Sequence, residues 1–118
     1  MIDINLNYVN YMQSVDENAA SQGVESILAQ IETVDYCAVL VWKNRLLVGV
    51  IPKPLFSRSE RTQLEQQITL AVGEVYGFDE VLISFDMDVI HEINKLNKIS
   101  ADSKQIETLF YSVKVRRE

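Results

Sequence analysis

Within the stretch ISFDMDVIHEINKL, Ile83 to Leu96, stand two aspartates, the only histidine of the chain and a glutamate. Carboxylates and an imidazole so close together are the raw material of a divalent-metal site or of general acid/base catalysis. The spacing argues against both. On a helix beginning at Asp88, His91 lies about one turn on and Glu92 is rotated from it by about 100°. A zinc pair wants ligands at i and i+4, and no second nitrogen or sulfur ligand accompanies His91. Paired carboxylates serve as acid and base only where a pocket separates their pKa values, which spacing cannot reveal. The simpler account is mechanical. A strand, EVLISF, turns into a helix, VIHEINKLN, and Asp88 is the expected N-cap, its carboxylate accepting from free N–H groups of the first turn. A metal-binding domain or metal-dependent enzyme using Asp86, Asp88, His91 and Glu92 is kept as the alternative reading, and no catalytic, cofactor-binding or metal-ligating residue is assigned.

The other chemically suggestive residues have equally plain accounts. The four glycines, Gly23, Gly49, Gly73 and Gly77, fall into neither nucleotide-binding spacing. FSRSER could hold an anion at a helix start, but Ser57 three residues before Glu60 has the spacing of a capping box. The single cysteine, Cys37, lies inside the apolar run YCAVLVW, where it is expected to be a small buried hydrophobe. Alternation puts Tyr36, Ala38, Leu40 and Trp42 on one strand face and Cys37, Val39 and Val41 on the other. A base-stacking platform needs basic charge beside its aromatics, which this acidic chain lacks. Trp42 at the strand end, with Leu109, Phe110 and Tyr111 of the last helix, is therefore expected to form a protein interface.

These residues are carried by a simple order of elements. Residues 1–15 have no steady period and form an extended or poorly ordered lead-in; one domain follows over 16–118. Val24, Ile27, Leu28 and Ile31 mark a helix from about Asp16 to Glu32, weakened by Gly23. DYCAVLVW and RLLVGVI make a hairpin turning at Lys43 and Asn44. Gly49 marks a bulge or the close approach of a neighbouring element. After Pro52 and Pro54, a second helix carries Leu64, Ile68, Ala71, Val72 and Val75 on one face and is expected to stop at Gly77. EVLISF, the helix after Asp88, and a last helix bearing Ile106, Leu109, Phe110 and Val113 complete the order α-β-β-α-β-α-α. The fold class is α+β, a three-stranded mixed sheet packed by helices. The second and third strands should run parallel, with the first between them. Both hairpin strands are apolar on both faces, so helices are expected on one side of the sheet and a partner or the terminal segments on the other.

The totals suit such a domain. The chain has 118 residues, 47% hydrophobic and 24% charged, with a net charge of -6. That balance gives no general attraction to nucleic acid or anionic membrane, although Lys114, Arg116 and Arg117 cluster near the C-terminus. No run reaches the roughly 18 apolar residues of a membrane span, and MIDINLNYVNYMQ lacks the features of a signal peptide, so the chain as given reads as soluble.

Three stretches carry a resemblance. VDYCAVLVW follows a helix end as a strand of the pattern V..A.V.V does, NRLLVGVIPK contains a VGV strand, and EVLISFDMDVIHEINKL runs strand, acidic turn and helix. Over about Ala19 to Leu96 the chain thus resembles the YhcN/YlaJ sporulation lipoproteins, which are similar in element order to BON-like domains, modules that bind membranes or other proteins at the cell envelope. The resemblance implies a non-enzymatic interaction module, tethered by an N-terminal lipid at the forespore or spore membrane on its extracytoplasmic side and serving spore assembly or germination. It implies a protein partner or self-association, no nucleic acid, no cofactor, and membrane contact only through an anchor not present in this chain. Cys37 lies inside a strand and is no lipobox cysteine; without an anchor the expected place is the cytoplasm, as a ligand-binding regulatory domain.

Overall fold

A computed structural model describes residues 17–54, 57–99 and 101–117, with the side chains of 17–54, 57–99 and 101–116. The expected lead-in over 1–15 lies outside the described residues. The elements follow the expected order: α1 over 17–29, β1 Val34–Trp42, β2 Arg45–Pro52, α2 Arg58–Gly73, β3 Glu80–Ser84, α3 Met87–Lys98 and α4 Ser103–Arg117.

The hairpin turns where a two-residue loop must. Lys43 and Asn44 have φ of 51° and 58°, the left-handed pair whose twist matches that of the flanking strands. The strained corner is tied down from outside. The Lys43 N–H donates to Glu17 Oε2 at 2.9 Å, Asn44 Nδ2 donates to the Gly77 carbonyl at 3.0 Å, and the Asp79 N–H donates to the Asn44 carbonyl at 2.8 Å.

β1 pairs antiparallel with β2, Leu40 opposite Leu47, and β2 pairs parallel with β3, Leu47 opposite Leu82. The sheet order is β1-β2-β3. This corrects the expected placement of the first strand in the middle. The central position goes to the strand that can be buried throughout: Leu46 to Val50 are all inaccessible, whereas β1 opens with exposed Asp35 and Tyr36.

Helices cover both faces of the sheet, where one covered face and a partner or terminal segments on the other had been expected. On one side α1 and α2 supply Val24, Leu28, Leu64, Ile68 and Val72 to Val39, Leu46, Val48, Val50 and Ile83. On the other, α3 and α4 supply Ile90, Ile93, Leu96, Leu109 and Phe110 to Ala38, Leu40, Leu47 and Leu82. The alternation expected for β1 thus divides its residues between two cores. Asn97 Nδ2 donates to the Val39 carbonyl at 2.9 Å and fastens α3 to the edge strand.

Gly49 is the close-approach position of the two foreseen. A Cβ there would lie 2.5 Å from Ile90 Cγ1 and 3.4 Å from Ile90 Cα, so α3 crosses the sheet at a distance only glycine permits. The capping box also forms, Ser57 Oγ accepting from the Glu60 N–H at 3.2 Å and donating to Glu60 Oε1 at 3.1 Å. The far end of α2 differs. It stops at Gly73, capped by Glu74 in ordinary helical geometry, and the Tyr76 N–H closes back on the Val72 carbonyl at 2.8 Å. No left-handed residue is needed, so Gly77 is not the stop, and Val75 is 62% exposed rather than on the buried face.

Candidate functional site

The acidic turn resolves into a cap and a helix surface. α3 is already wound at Met87 because Val89 and Ile90 must both face the sheet. The N-cap is therefore Asp86, not Asp88. Asp86 Oδ1 accepts from the Asp88 N–H at 2.9 Å, Asp86 Oδ2 accepts from Arg116 Nη1 at 2.8 Å, and the Asp86 N–H donates to Ser84 Oγ at 3.1 Å. Asp88 instead lies exposed in the first turn, where its charge suits the positive end of the helix. His91 and Glu92 are exposed one turn on, and Glu92 Oε1 stands 3.9 Å from Lys95 Nζ. The four side chains do not converge. Among the described residues no three His, Cys, Asp or Glu side chains are grouped to hold a metal ion.

Capping makes a local prediction with a built-in control. Asp86→Ala should lower stability by about 0.5–2 kcal/mol, while Asp88→Ala should change it by no more than about 0.5 kcal/mol. Urea denaturation of the two variants separates them, and the reverse order would move the helix start back to Asp88.

A shallow cleft of about 230 Å³ opens at the C-terminal end of β3, over Ile83, Phe85 and Val113, with Glu65, Asp86 and Arg116 at its rim. The Arg61 guanidinium lies 5.5 Å above the Phe85 ring. Asp86 and Arg116 pair with each other at the cleft, which joins the end of α4 to the start of α3. Lys114 is likewise engaged, 3.3 Å from Glu80 Oε2. Two of the three basic residues near the C-terminus therefore hold the last helix against β3 and α3.

A second cluster fixes α4 to the hairpin. Trp42 Nε1 donates to Glu107 Oε1 at 2.9 Å, and Arg45 pairs with the same oxygen. Lys43 Nζ lies 5.4 Å from the Trp42 ring, and the Arg45 guanidinium 4.8 Å from the Phe110 ring. The indole hydrogen bond, then Arg45, holds the Glu107 carboxyl below its ordinary value of 4.5 against an opposing effect of desolvation. A carboxylate whose folded pKa is lowered stabilises the fold above its unfolded pKa and ceases to do so as pH falls through the folded one. Glu107→Gln should therefore lower the Tm at neutral pH, and the gap to the parent should close as pH falls below about 4.5. Melting curves from pH 7 to pH 3 check it; a gap that does not vary with pH would show that the charge adds nothing.

Of the expected interface, Leu109 and Phe110 are 7% and 2% exposed and belong to the core, because the buried stripe of α4 runs Ile106, Leu109, Phe110 and Val113. Trp42 is half-buried and engaged by Glu107. Only Tyr111, 70% exposed, points fully away. Cys37 is half-buried, and burial, then Glu25, pushes its thiol up to about 11, which favours the protonated form at neutral pH. Sequence reasoning missed Glu107 and Asn97 as structural ties, since both bond to residues some sixty positions away.

What remains exposed and apolar is unevenly spread. Tyr111 and Val115 of α4, Met87 of α3, Ile99 just beyond it and Tyr36, whose hydroxyl accepts from Asn94 Nδ2 at 3.1 Å, all belong to the α3/α4 side of the sheet. Leu70 and Val75 stand apart at the end of α2.

No described helix is long and apolar enough to cross a membrane. No curated protein and no solved structure matches the chain. The family of the sporulation lipoprotein YhcN/YlaJ matches residues 5–114, both layers of helices and the whole sheet included. The strand, acidic turn and helix that first suggested chemistry lie within the matched residues, and the chain belongs to the sporulation lipoprotein YhcN/YlaJ family.

Proposed function

We propose that this domain is a non-enzymatic docking module of a spore-envelope lipoprotein, serving spore assembly or germination. The observation that carries this reading is the gathering of five large exposed apolar side chains on the α3/α4 side of a sheet whose two cores are complete without them. Single exposed hydrophobics are ordinary on a soluble protein; five on one layer against two at the end of α2 favour that layer as the contact surface. Of the charged groups that drew attention first, Asp86 caps α3 and fastens α4, while Asp88, His91 and Glu92 lie exposed on the helix surface, which supports a scaffold more than a reaction centre. The family supplies the setting, a lipoprotein made during sporulation.

The full-length product, followed by immunoblot across growth and sporulation in separated membrane and soluble fractions, tests the setting. It should appear during sporulation and stay with the spore membranes. Soluble protein throughout vegetative growth would overturn the reading.

A further inference from the structure

β3 lies at one edge of the sheet. It pairs with β2 on one side, and no described strand pairs with it on the other. Its side chains show that this edge is incompletely covered. Val81, Ile83 and Phe85 alternate onto the α1/α2 side, where Ile83 is buried but Val81 and Phe85 are only partly so. The cleft of about 230 Å³ continues the row, with Ile83 and Phe85 on one side of it and Val113 of α4 on the other. A row of half-covered apolar side chains along the outer edge of a sheet is a seat for one more strand. The opposite edge offers no such seat. Val39, in the middle of β1, is inaccessible, and its carbonyl accepts from Asn97 Nδ2.

The chain contains a segment of the matching pattern. Ile2, Ile4, Leu6 and Tyr8 alternate with Asp3, Asn5 and Asn7, the period-two order of a strand with one apolar and one polar face. The alternation breaks at Val9, which is why residues 1–15 as a whole keep no steady period. The family match begins at residue 5, well ahead of α1, so the shared unit takes in residues 5–8 of this segment.

Topology fixes where such a segment can go and in which direction. Glu17, the first residue of α1, accepts from the Lys43 N–H in the hairpin turn, and Asn44 of the same turn accepts from the N–H of Asp79, the residue before β3. The starts of α1 and β3 therefore lie at the same end of the sheet. Residues 9–16 suffice to link the two places, since eight extended residues reach about 26 Å, several times the spacing of about 4.8 Å between neighbouring strands. A strand that ends where β3 begins runs antiparallel to it. With its apolar row beside Val81, Ile83 and Phe85, its polar row turns toward α4, where Lys114 and Arg116 stand.

We propose that residues 2–8 close the outer edge of β3 as a fourth, antiparallel strand, with Leu6 opposite Ile83, Ile4 by Phe85 and Tyr8 by Val81. The groove beside β3 is then a strand-docking site whose occupant is the chain's own N-terminal segment. Filling it denies β3 to a strand of another chain and leaves partners the helical surfaces rather than the sheet edges. The groove and the α3/α4 face are separate, so either assignment can fail without the other.

Nuclear magnetic resonance of the full, isotope-labelled 118-residue chain tests the proposal. Every second amide of residues 3–8 should exchange slowly, as in a strand bonded along one edge. Nuclear Overhauser contacts should join Leu6 to Ile83 and Ile4 to Phe85. Leu6→Asp should abolish both the slow exchange and the contacts, whereas Asn5→Asp, on the polar row, should retain them. The contacts of the unsubstituted chain decide the matter even where Leu6→Asp fails to fold.

Uniformly fast exchange over residues 2–8 would overturn the assignment, as would contacts of Leu6 with β1 or with the α3/α4 face in place of β3. A mixture of labelled and unlabelled chains identifies the source of the strand. Contacts found only between different copies would give the groove to a second copy's segment and overturn the arrangement within one chain.

Discussion

Phe110→Ala should cost the domain about 3–5 kcal/mol, a large share of the 5–15 kcal/mol by which domains of this size are stable. The ring is 2% exposed and belongs to the core shared by β1, β2, β3, α3 and α4. It also lies under the Arg45 guanidinium, which is itself bound to Glu107, so truncation removes the platform on which that ion pair rests. The neighbouring Tyr111 is the control. At 70% exposure its replacement by alanine should change stability by no more than about 0.5 kcal/mol. Denaturant midpoints of the two variants measure whether α4 is a structural wall of the domain. Equal, small effects would mean that the last helix is not docked on the sheet in solution.

Gly49→Ala should be destabilising by about 1–3 kcal/mol, although a glycine-to-alanine change in a strand ordinarily gains some stability through the unfolded chain. The added methyl would stand 2.5 Å from Ile90 Cγ1, so that side chain must shift, and with Ile90 Cα only 3.4 Å away it has little room to do so. Because the strain lies with one neighbour, it can be relieved there. Ile90→Ala alone should cost about 2–5 kcal/mol as a cavity, but combined with Gly49→Ala the total should fall clearly below the sum of the two. A coupling of at least 0.5 kcal/mol in that direction is the expected signature of direct contact. Strict additivity would mean that α3 does not cross the sheet at this point.

Both results concern the same layer that carries the exposed apolar and basic side chains. Ile90 and Phe110 pack α3 and α4 against the sheet, and Tyr111 and Val115 stand exposed on the outer side of α4. Stability and docking are therefore separable by experiment. Core variants should melt early, whereas Tyr111→Glu on the outer face should melt normally and lose partner contact.

The elements, their order and their buried faces were legible because they depend on neighbours a few positions apart. A two-residue link between apolar runs implies a hairpin, Ser57 followed by Glu60 implies a capped start, and three-to-four spacing implies which side of a helix turns inward. The acidic turn was understood in kind and missed by two residues, since Asp86 and Asp88 both stand between a strand and a helix. Only the need to turn Val89 and Ile90 together onto the sheet decides between them. The parallel pairing of β2 with β3 followed from the crossover, but the central place of β2 did not, because both hairpin strands are apolar on two faces and local pattern does not rank them.

The third dimension settled what depends on partners distant in the chain. It used Leu109 and Phe110 for the core and left Tyr111 outside, although all three are adjacent and apolar. It turned Gly49 into a crossing point by laying Ile90 on it, and it made Glu107 an anchor by bringing Trp42 and Arg45 to it from more than sixty residues away. Spacing along a chain records the geometry of one helix or strand at a time. Which faces of different elements meet is decided by packing them all at once, so the basic residues of the last 24 positions were present in the sequence, while the pairing of Lys114 with Glu80 and of Arg116 with Asp86 belongs to the fold.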